Sequence, residues 1–240
     1  MIDLPEAIRD AFLAAVPEEF LASVVLGLFQ SYGAAFQMCI GHMDAPETID
    51  ALSVNRRAIF EGNFRTAARR HKLTASVEMN PRMTSRFSLV QLGEIYITAS
   101  RSKSMKQMPR LALYRKNYWK SKAQFVLFEM AKETKGGGDA PNDGALYAIL
   151  LHGAPAKKKN KGDPTNLAFP SFARVVFPDE HGKILAGINL FTEIAACKEV
   201  VNEYLPRVET VSPTAAPKLR PRKTKKKESE TPTTPPKGIA

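Results

Sequence analysis

No Asp, Glu, Lys or Arg occurs between Phe20 and Met43, a run of 24 residues that limits the folds open to this chain. The run is long enough to cross a bilayer as a helix. Gln30 and Gln37 lie near its middle, however, and each would be costly inside a membrane. The apolar residues follow the alternating four-three spacing of one helical stripe. We therefore predict a buried helix and no membrane span, with these residues facing inward: Leu21, Val25, Leu28, Tyr32, Ala35 and Cys39.

The opposite face of this predicted helix is also without charge. It carries Ser23, Gly27, Gln30, Ala34 and Gln37, whereas a solvated helix face normally carries Lys or Glu. Both faces are therefore expected to be covered. The rest of the fold is the favoured cover, and a second copy of the chain is the alternative, which would make a homo-oligomer through residues 20–43.

The remaining patterns predict an α+β protein, with N-terminal helices packed on a mostly antiparallel sheet and a closing C-terminal helix. We expect a single domain over residues 1–205, mainly helical over 1–72, mainly strand over 74–191 and helical over 192–205. Residues 206–240 are rich in Pro, Thr, Ser and Lys and are predicted to form a disordered basic tail. The individual segments are helices near 5–16, 47–52, 55–72 and 192–205, and strands near 76–79, 87–100, 111–115, 118–128, 145–152, 172–177 and 184–191.

Positive charge is concentrated in residues 55–122. That stretch holds sixteen Lys and Arg residues against three acids, a net charge of +13, while the whole chain carries +11. The first 54 residues carry one Arg and eight acids. A concentration of this kind needs a neutralising partner, and the usual one is a phosphate backbone. The charge pattern therefore predicts a non-enzymatic nucleic-acid-binding or regulatory protein.

Two patterns suggest how nucleic acid would be held. Helices at 20–43, 47–52 and 55–72 come in the order of a helix-turn-helix, with strands 76–79 and 87 onward as a wing. In the 55–72 helix, Phe60 and Phe64 face inward, and Arg65, Arg69 and Lys72 form a basic ridge on the opposite side. Aromatic and basic residues also alternate over 114–122, as a base-stacking surface requires. The predicted contact residues are Arg56, Arg57, Arg65, Arg69, Lys72, Arg82, Arg86, Arg115, Lys116, Tyr118, Lys120 and Lys122.

Other interpretations remain open. A metal-dependent nuclease would need acids around a divalent ion with a nearby Lys, and the candidates are Glu61, Glu94, Glu129 and Glu133. A protein-interaction module would bind an acidic partner through the basic face. The 114–122 cluster also fits a plain solvated edge strand. Because no phosphate-binding loop or paired His ligands are found, no catalytic residue, metal or cofactor is predicted.

The two cysteines, Cys39 and Cys197, are far apart in the sequence. Two distant cysteines do not form a metal-ligand pair, and we expect buried thiols in a reducing compartment. The expected location is therefore the cytoplasm, or the nucleus in a eukaryote. Residues 218–227 form a polycation that would attract any polyanion without sequence choice.

Overall fold

The computed structural model describes residues 4–80, 84–109, 146–154, 167–179 and 181–210. The protein is α+β, with N-terminal helices and a later helix packed on a mostly antiparallel sheet, so the predicted fold class is confirmed. The helices are α1 (Leu4–Ala15), α2 (Glu18–His42), α3 (Ala45–Arg70), α4 (Leu190–Glu193) and α5 (Ala195–Thr210). The strands are β1 (Thr74–Met79), β2 (Arg86–Leu92), β3 (Ile95–Arg101), β4 (Leu146–Gly153), β5 (Phe172–Pro178) and β6 (Ile184–Asn189).

The six described strands form one sheet in the order β1-β2-β3-β4-β5-β6. Every neighbouring pair is antiparallel except β3 and β4, which are parallel, with Arg101 opposite His152. Gly93 turns the chain between β2 and β3 with a φ of +54°, so the predicted strand segment 87–100 consists of two strands. One face of the sheet packs against the helices through residues such as Ile97, Leu150 and Val175. The other face is buried as well, around Tyr147, Ile149, Leu151, Phe172 and Val176.

Helix α2 is the central helix of the core. All six residues of its predicted inward stripe are buried, which confirms the buried-helix prediction. The second face is covered only in part, because Gln30, Ala34 and Gln37 are exposed. By length and composition α2 could cross a membrane, but more than half of its apolar window is buried inside the protein. That degree of burial is typical of a core helix. The predicted homo-oligomer remains a prediction, and only the exposed face could serve it.

Helix α3 is continuous where the sequence predicted two helices. Residues 53–55 do not break it, and Asn55 donates from Nδ2 to Cys39 Sγ at 3.3 Å instead of capping a new helix. The prediction was wrong because Ser, Val and Asn each cost only a few tenths of a kcal/mol inside a helix, less than the burial of flanking Leu52 and Phe60 provides. Helices α2 and α3 form an antiparallel hairpin joined at Met43 and Asp44. The predicted helix-turn-helix is therefore not formed.

The carboxyl end of α3 contains a non-glycine residue in a left-handed conformation. Lys72 has a φ of +59°. The amide of Leu73 donates to Ala68 O at 2.9 Å and that of Lys72 to Arg69 O at 3.0 Å, which are the two hydrogen bonds of a Schellman cap. Glycine is favoured at this position because a Cβ atom is strained there.

We expect Lys72→Gly to raise the free energy of unfolding by about 1 kcal/mol, because it relieves the strain of a left-handed side-chain residue. Urea denaturation followed by circular dichroism measures the change. The matched control is Ala58→Gly, at an exposed position inside α3, which should lower stability by about 1 kcal/mol. A destabilised Lys72→Gly protein would contradict the strain argument.

Several predicted boundaries need correction. Strand β6 ends at Asn189, whose side-chain oxygen accepts from the Phe191 amide at 3.1 Å and caps α4. The closing helix α5 therefore begins at Ala195, after the predicted start at residue 192, which lies inside the short helix α4. Helix α5 runs to Thr210, beyond the predicted boundary at 205. The predicted strands at 111–115 and 118–128 and residues 211–240 of the predicted tail lie outside the described residues. Cys39 and Cys197 are buried free thiols, as expected.

Candidate nucleic-acid interface

The parallel pairing of β3 and β4 brings several connections to one end of the sheet. Because the two strands are parallel, their carboxyl ends, at Arg101 and His152, lie side by side. Strand β5 begins there, with Phe172 opposite Gly153, and β2 begins at the same end, with Arg86 opposite Met79. The connections over residues 80–85, 102–109 and 154–171 therefore all start or finish at what we call the carboxyl end of the sheet.

Exposed basic residues collect at this end, and we call the set the basic end. Arg57 Nη2 donates to Arg86 O at 2.9 Å, which joins α3 to the start of β2. Arg101 Nη1 donates to Ser53 Oγ, which joins the end of β3 to the same helix. The segment 155–166 contains four lysines, and both of its flanks belong to this end. The described members of the basic end are all exposed: Arg57, Arg86, Arg101, Lys103 and Lys106.

The structure separates the predicted contact residues into two groups. Arg57 and Arg86 belong to the basic end. Arg69 and Lys72 lie near the other end of the sheet, where α3 finishes and β1 begins. Arg69 lies twelve residues after Arg57 on α3, or about 18 Å along the axis. Lys72 lies beyond the last turn of α3, so the predicted helical ridge does not extend to it.

Arg65 lies between the two groups and is partly buried. Its Nη1 donates to Ser88 Oγ at 2.6 Å, and the Ser88 amide donates to Glu61 Oε2, also at 2.6 Å. Burial raises the pKa of the Glu61 carboxyl, whereas the hydrogen bonds from Ser88 act in the opposite direction. Arg65 and Glu61 thus hold α3 against β2, which leaves Arg65 less free than an exposed Arg to bind a ligand.

Arg56 lies inside the protein and not on its surface. Its side chain is buried, its Nη2 donates to Leu167 O, and its guanidinium lies 4.7 Å from the centre of the Tyr32 ring. Burial lowers the pKa of Arg56, but an Arg guanidinium stays charged in a protein. An Arg in this place does not reach the base edges that the helix-turn-helix interpretation assigned to it.

Beside Arg56, Tyr32 and His152 form a buried polar pair. Tyr32 Oη and His152 Nδ1 share a hydrogen bond of 3.0 Å, and the Phe60 ring lies 4.7 Å from the imidazole. Burial, followed by the charges of Arg101 and Arg56, lowers the pKa of His152 from 6.5 to about 3. Burial raises the pKa of Tyr32 to about 12. Both side chains are therefore neutral at pH 7.

The acids proposed for a nuclease are not brought together where the structure shows them. Glu61 is bonded to Ser88, while Glu94 lies in the turn after Leu92. Leu92 lies four residues after Ser88 along β2, a distance of about 13 Å, which is too far for one ion to bind both carboxylates. In the described ranges no group of three or more His, Cys, Asp or Glu residues could hold a metal ion. Glu129 and Glu133 lie outside those ranges.

Half of the predicted contact residues also lie outside the described residues: Arg82, Arg115, Lys116, Tyr118, Lys120 and Lys122. Conversely, the sequence interpretation did not select Arg101, Tyr32 or His152 as site residues. Arg101 and His152 could have been selected if the parallel pairing of β3 with β4 had been predicted, because that pairing places both residues at one end of the sheet. The sequence of a strand does not indicate which other strand it will pair with.

Comparison with known proteins gives no relative. The chain matches no protein-family model, no curated protein and no solved structure.

Proposed function

We propose that this protein binds nucleic acid through the basic end of its sheet. The observation that supports the proposal is the convergence of exposed bases from three separate parts of the chain. Arg57 comes from α3, Arg86 from β2 and Arg101 from the end of β3, while Lys103 and Lys106 lie in the connection that follows β3. Charges held on regular elements keep their separations, so they lose less entropy on binding a regular phosphate backbone than charges on a mobile segment do.

The experiment compares two triple variants that remove the same charge. Arg57→Gln/Arg86→Gln/Lys103→Gln alters the basic end, whereas Arg69→Gln/Arg70→Gln/Lys72→Gln alters exposed bases at the other end of α3. Titration of the full chain with one duplex and one single strand should show at least about tenfold weaker binding for the first variant. The second should lose clearly less affinity. Circular dichroism establishes that both variants are folded.

Salt dependence gives the second measurement. Each neutralised phosphate contributes about 0.9 to the slope of log affinity against log salt concentration on a duplex. Loss of three contacts should therefore lower that slope by about 2 to 3, and only in the basic-end variant. A larger loss in the control variant would place the interface at the other end of α3. Binding that does not change with salt would contradict the proposal altogether.

A further inference from the structure

Two arginines at the carboxyl end of the sheet, Arg56 and Arg101, lie near each other, and no described carboxylate forms an ion pair with either of them. Arg101 donates to Ser53 Oγ, and Ser53 precedes Arg56 by three residues on α3, so the two face the same side of that helix. The ion pair between Arg9 and Glu193, at 2.5 Å, involves neither of these arginines. Asp50, one turn before Ser53, is exposed. The charges of Arg56 and Arg101 are therefore not balanced by a carboxylate in the described part of the chain.

Arg56 is the less satisfied of the two. Its residue exposure is 4%, so it has lost most of its contact with water. Its Nη2 donates to Leu167 O, but Nε is buried without a hydrogen-bond partner. The face of Tyr32 offers only a cation–π contact, which is weaker than a charged hydrogen bond. Buried charges in proteins are normally paired with an opposite charge.

The residues around Arg56 add positive charge or remain neutral. Arg101 lowers the pKa of both Arg56 and His152, which is the effect of a nearby like charge. Tyr32 and His152 are uncharged, and their hydrogen bond to each other fixes both rings. The result is a rigid, positively charged site with an unused N–H donor. Such a site favours an anion that brings its own acceptors.

We propose that Arg56 and Arg101 form a binding site for a phosphate monoester or free phosphate. Two unpaired guanidinium groups carry a charge of about +2, and a phosphate monoester carries about −1.5 to −2 at pH 7 with three strong acceptor oxygens. A carboxylate supplies one charge and two oxygens, which match the pair less well. Arg56 would donate through Nε, and the exposed Arg101 would close over the anion from the solvent side.

This site shares Arg101 with the proposed nucleic-acid surface and differs from it in the buried Arg56. A phosphodiester backbone carries one charge per phosphate and would bind the exposed bases of the basic end. The Arg56 site requires a small group that can enter beside a buried guanidinium. It can therefore be tested with inorganic phosphate alone, without any nucleic acid.

Isothermal titration of the full chain with sodium phosphate, against sodium chloride at equal ionic strength, tests the site. We expect saturable binding to the unmodified protein and at least about tenfold weaker binding to Arg56→Gln, because one charged hydrogen-bond donor is lost. Arg101→Gln should weaken binding similarly, and as an exposed residue it can be replaced without disturbing the core. Arg69→Gln, an exposed arginine of the same helix, should bind as the unmodified protein does.

The source of the phosphate is decided by three further ligands: a 5′-mononucleotide, an oligonucleotide with a 5′-phosphate, and the same oligonucleotide without it. Binding of the first two that depends on Arg56 would support the site, and preference for the second would assign it to nucleic-acid ends. The basic-end variant Arg57→Gln/Arg86→Gln/Lys103→Gln should keep its affinity for inorganic phosphate. No binding of inorganic phosphate, or binding by Arg56→Gln and Arg101→Gln that is as strong as binding by the unmodified protein, would overturn the proposal whatever the oligonucleotides do.

Discussion

Lowering the pH from 6.5 to 4 should reduce the free energy of unfolding by about 3 kcal/mol through His152 alone. The pKa of this histidine is about 3 in the folded protein, against 6.5 for the free side chain. Between those two values the unfolded chain binds a proton at His152 and the folded chain does not. Stability contributed by the neutral imidazole is therefore complete above pH 6.5 and is lost as the pH falls toward 3.

The titration of Glu61 changes the free energy of unfolding in the opposite direction to that of His152, so the two contributions have to be separated. Burial raises its pKa, so the folded protein retains a proton that the unfolded chain releases as the pH rises. Its contribution to stability is present at low pH and is lost as the pH rises through the folded pKa. Glu61 can therefore offset part of the His152 effect in the acid range.

The measurement is urea denaturation at several pH values for the unmodified protein and for His152→Gln. Glutamine keeps a polar group near Tyr32 but does not titrate. The difference in unfolding free energy between the two proteins should shrink by about 3 kcal/mol from pH 6.5 to 4. Glu61 and the surface carboxylates are common to both proteins and cancel in this difference. Parallel stability curves would show that His152 is not held neutral by the fold.

Phe29→Ala should destabilise the protein by about 3 to 5 kcal/mol, the usual cost of removing a buried Phe ring. Phe29 is 2% exposed and joins α2 to the C-terminal helices. Its ring lies 4.9 Å from that of Tyr204 on α5 and 5.6 Å from that of Phe191 on α4. The truncation leaves a cavity at the meeting point of these helices, which can close only if the helices move.

Met38→Ala is the matched control, since Met38 lies on the same helix and is 50% exposed. Its replacement should change stability by less than about 0.5 kcal/mol, as is usual for surface sites. Chemical denaturation of both variants gives the comparison. A loss for Phe29→Ala no greater than that for Met38→Ala would mean that the ring cluster does not hold the helices together.

The packing of α2 was predicted only in part from the sequence. The stripe from Leu21 to Cys39 was predicted correctly, because a helix buried on one side repeats its apolar residues at a fixed spacing. Phe29 was not selected, because it lies outside that stripe and is buried by helices from the other end of the chain. Likewise, the helix break predicted at residues 53–55 was wrong because the prediction relied on local propensity. The core packing that keeps the helix continuous is visible only in the tertiary structure.

The candidate site, too, was predicted only in part from the sequence. The concentration of charge over 55–122 is a property of composition and could be read directly. Its division into groups around Arg57 and Arg69 depends on the length of α3 and on where β2 packs against it. Arg56 was taken for a surface residue because the helix-turn-helix interpretation placed it in contact with nucleic acid, although it lies one helical turn before the buried Phe60. Tyr32 was correctly expected in the core, but its partner His152 comes from a strand 120 residues later.

The parallel pairing of β3 and β4 has a consequence for the order of folding. It divides the sheet into two antiparallel meanders, β1 to β3 and β4 to β6, whose hydrogen bonds join neighbouring strands of the sequence. Pairing β3 with β4 requires the two ends of a 44-residue segment, 102–145, to meet, against two residues at the turn of Gly93 and Glu94. By the logarithmic scaling of loop entropy this difference is about 3 kcal/mol. Each meander can therefore form before β3 pairs with β4.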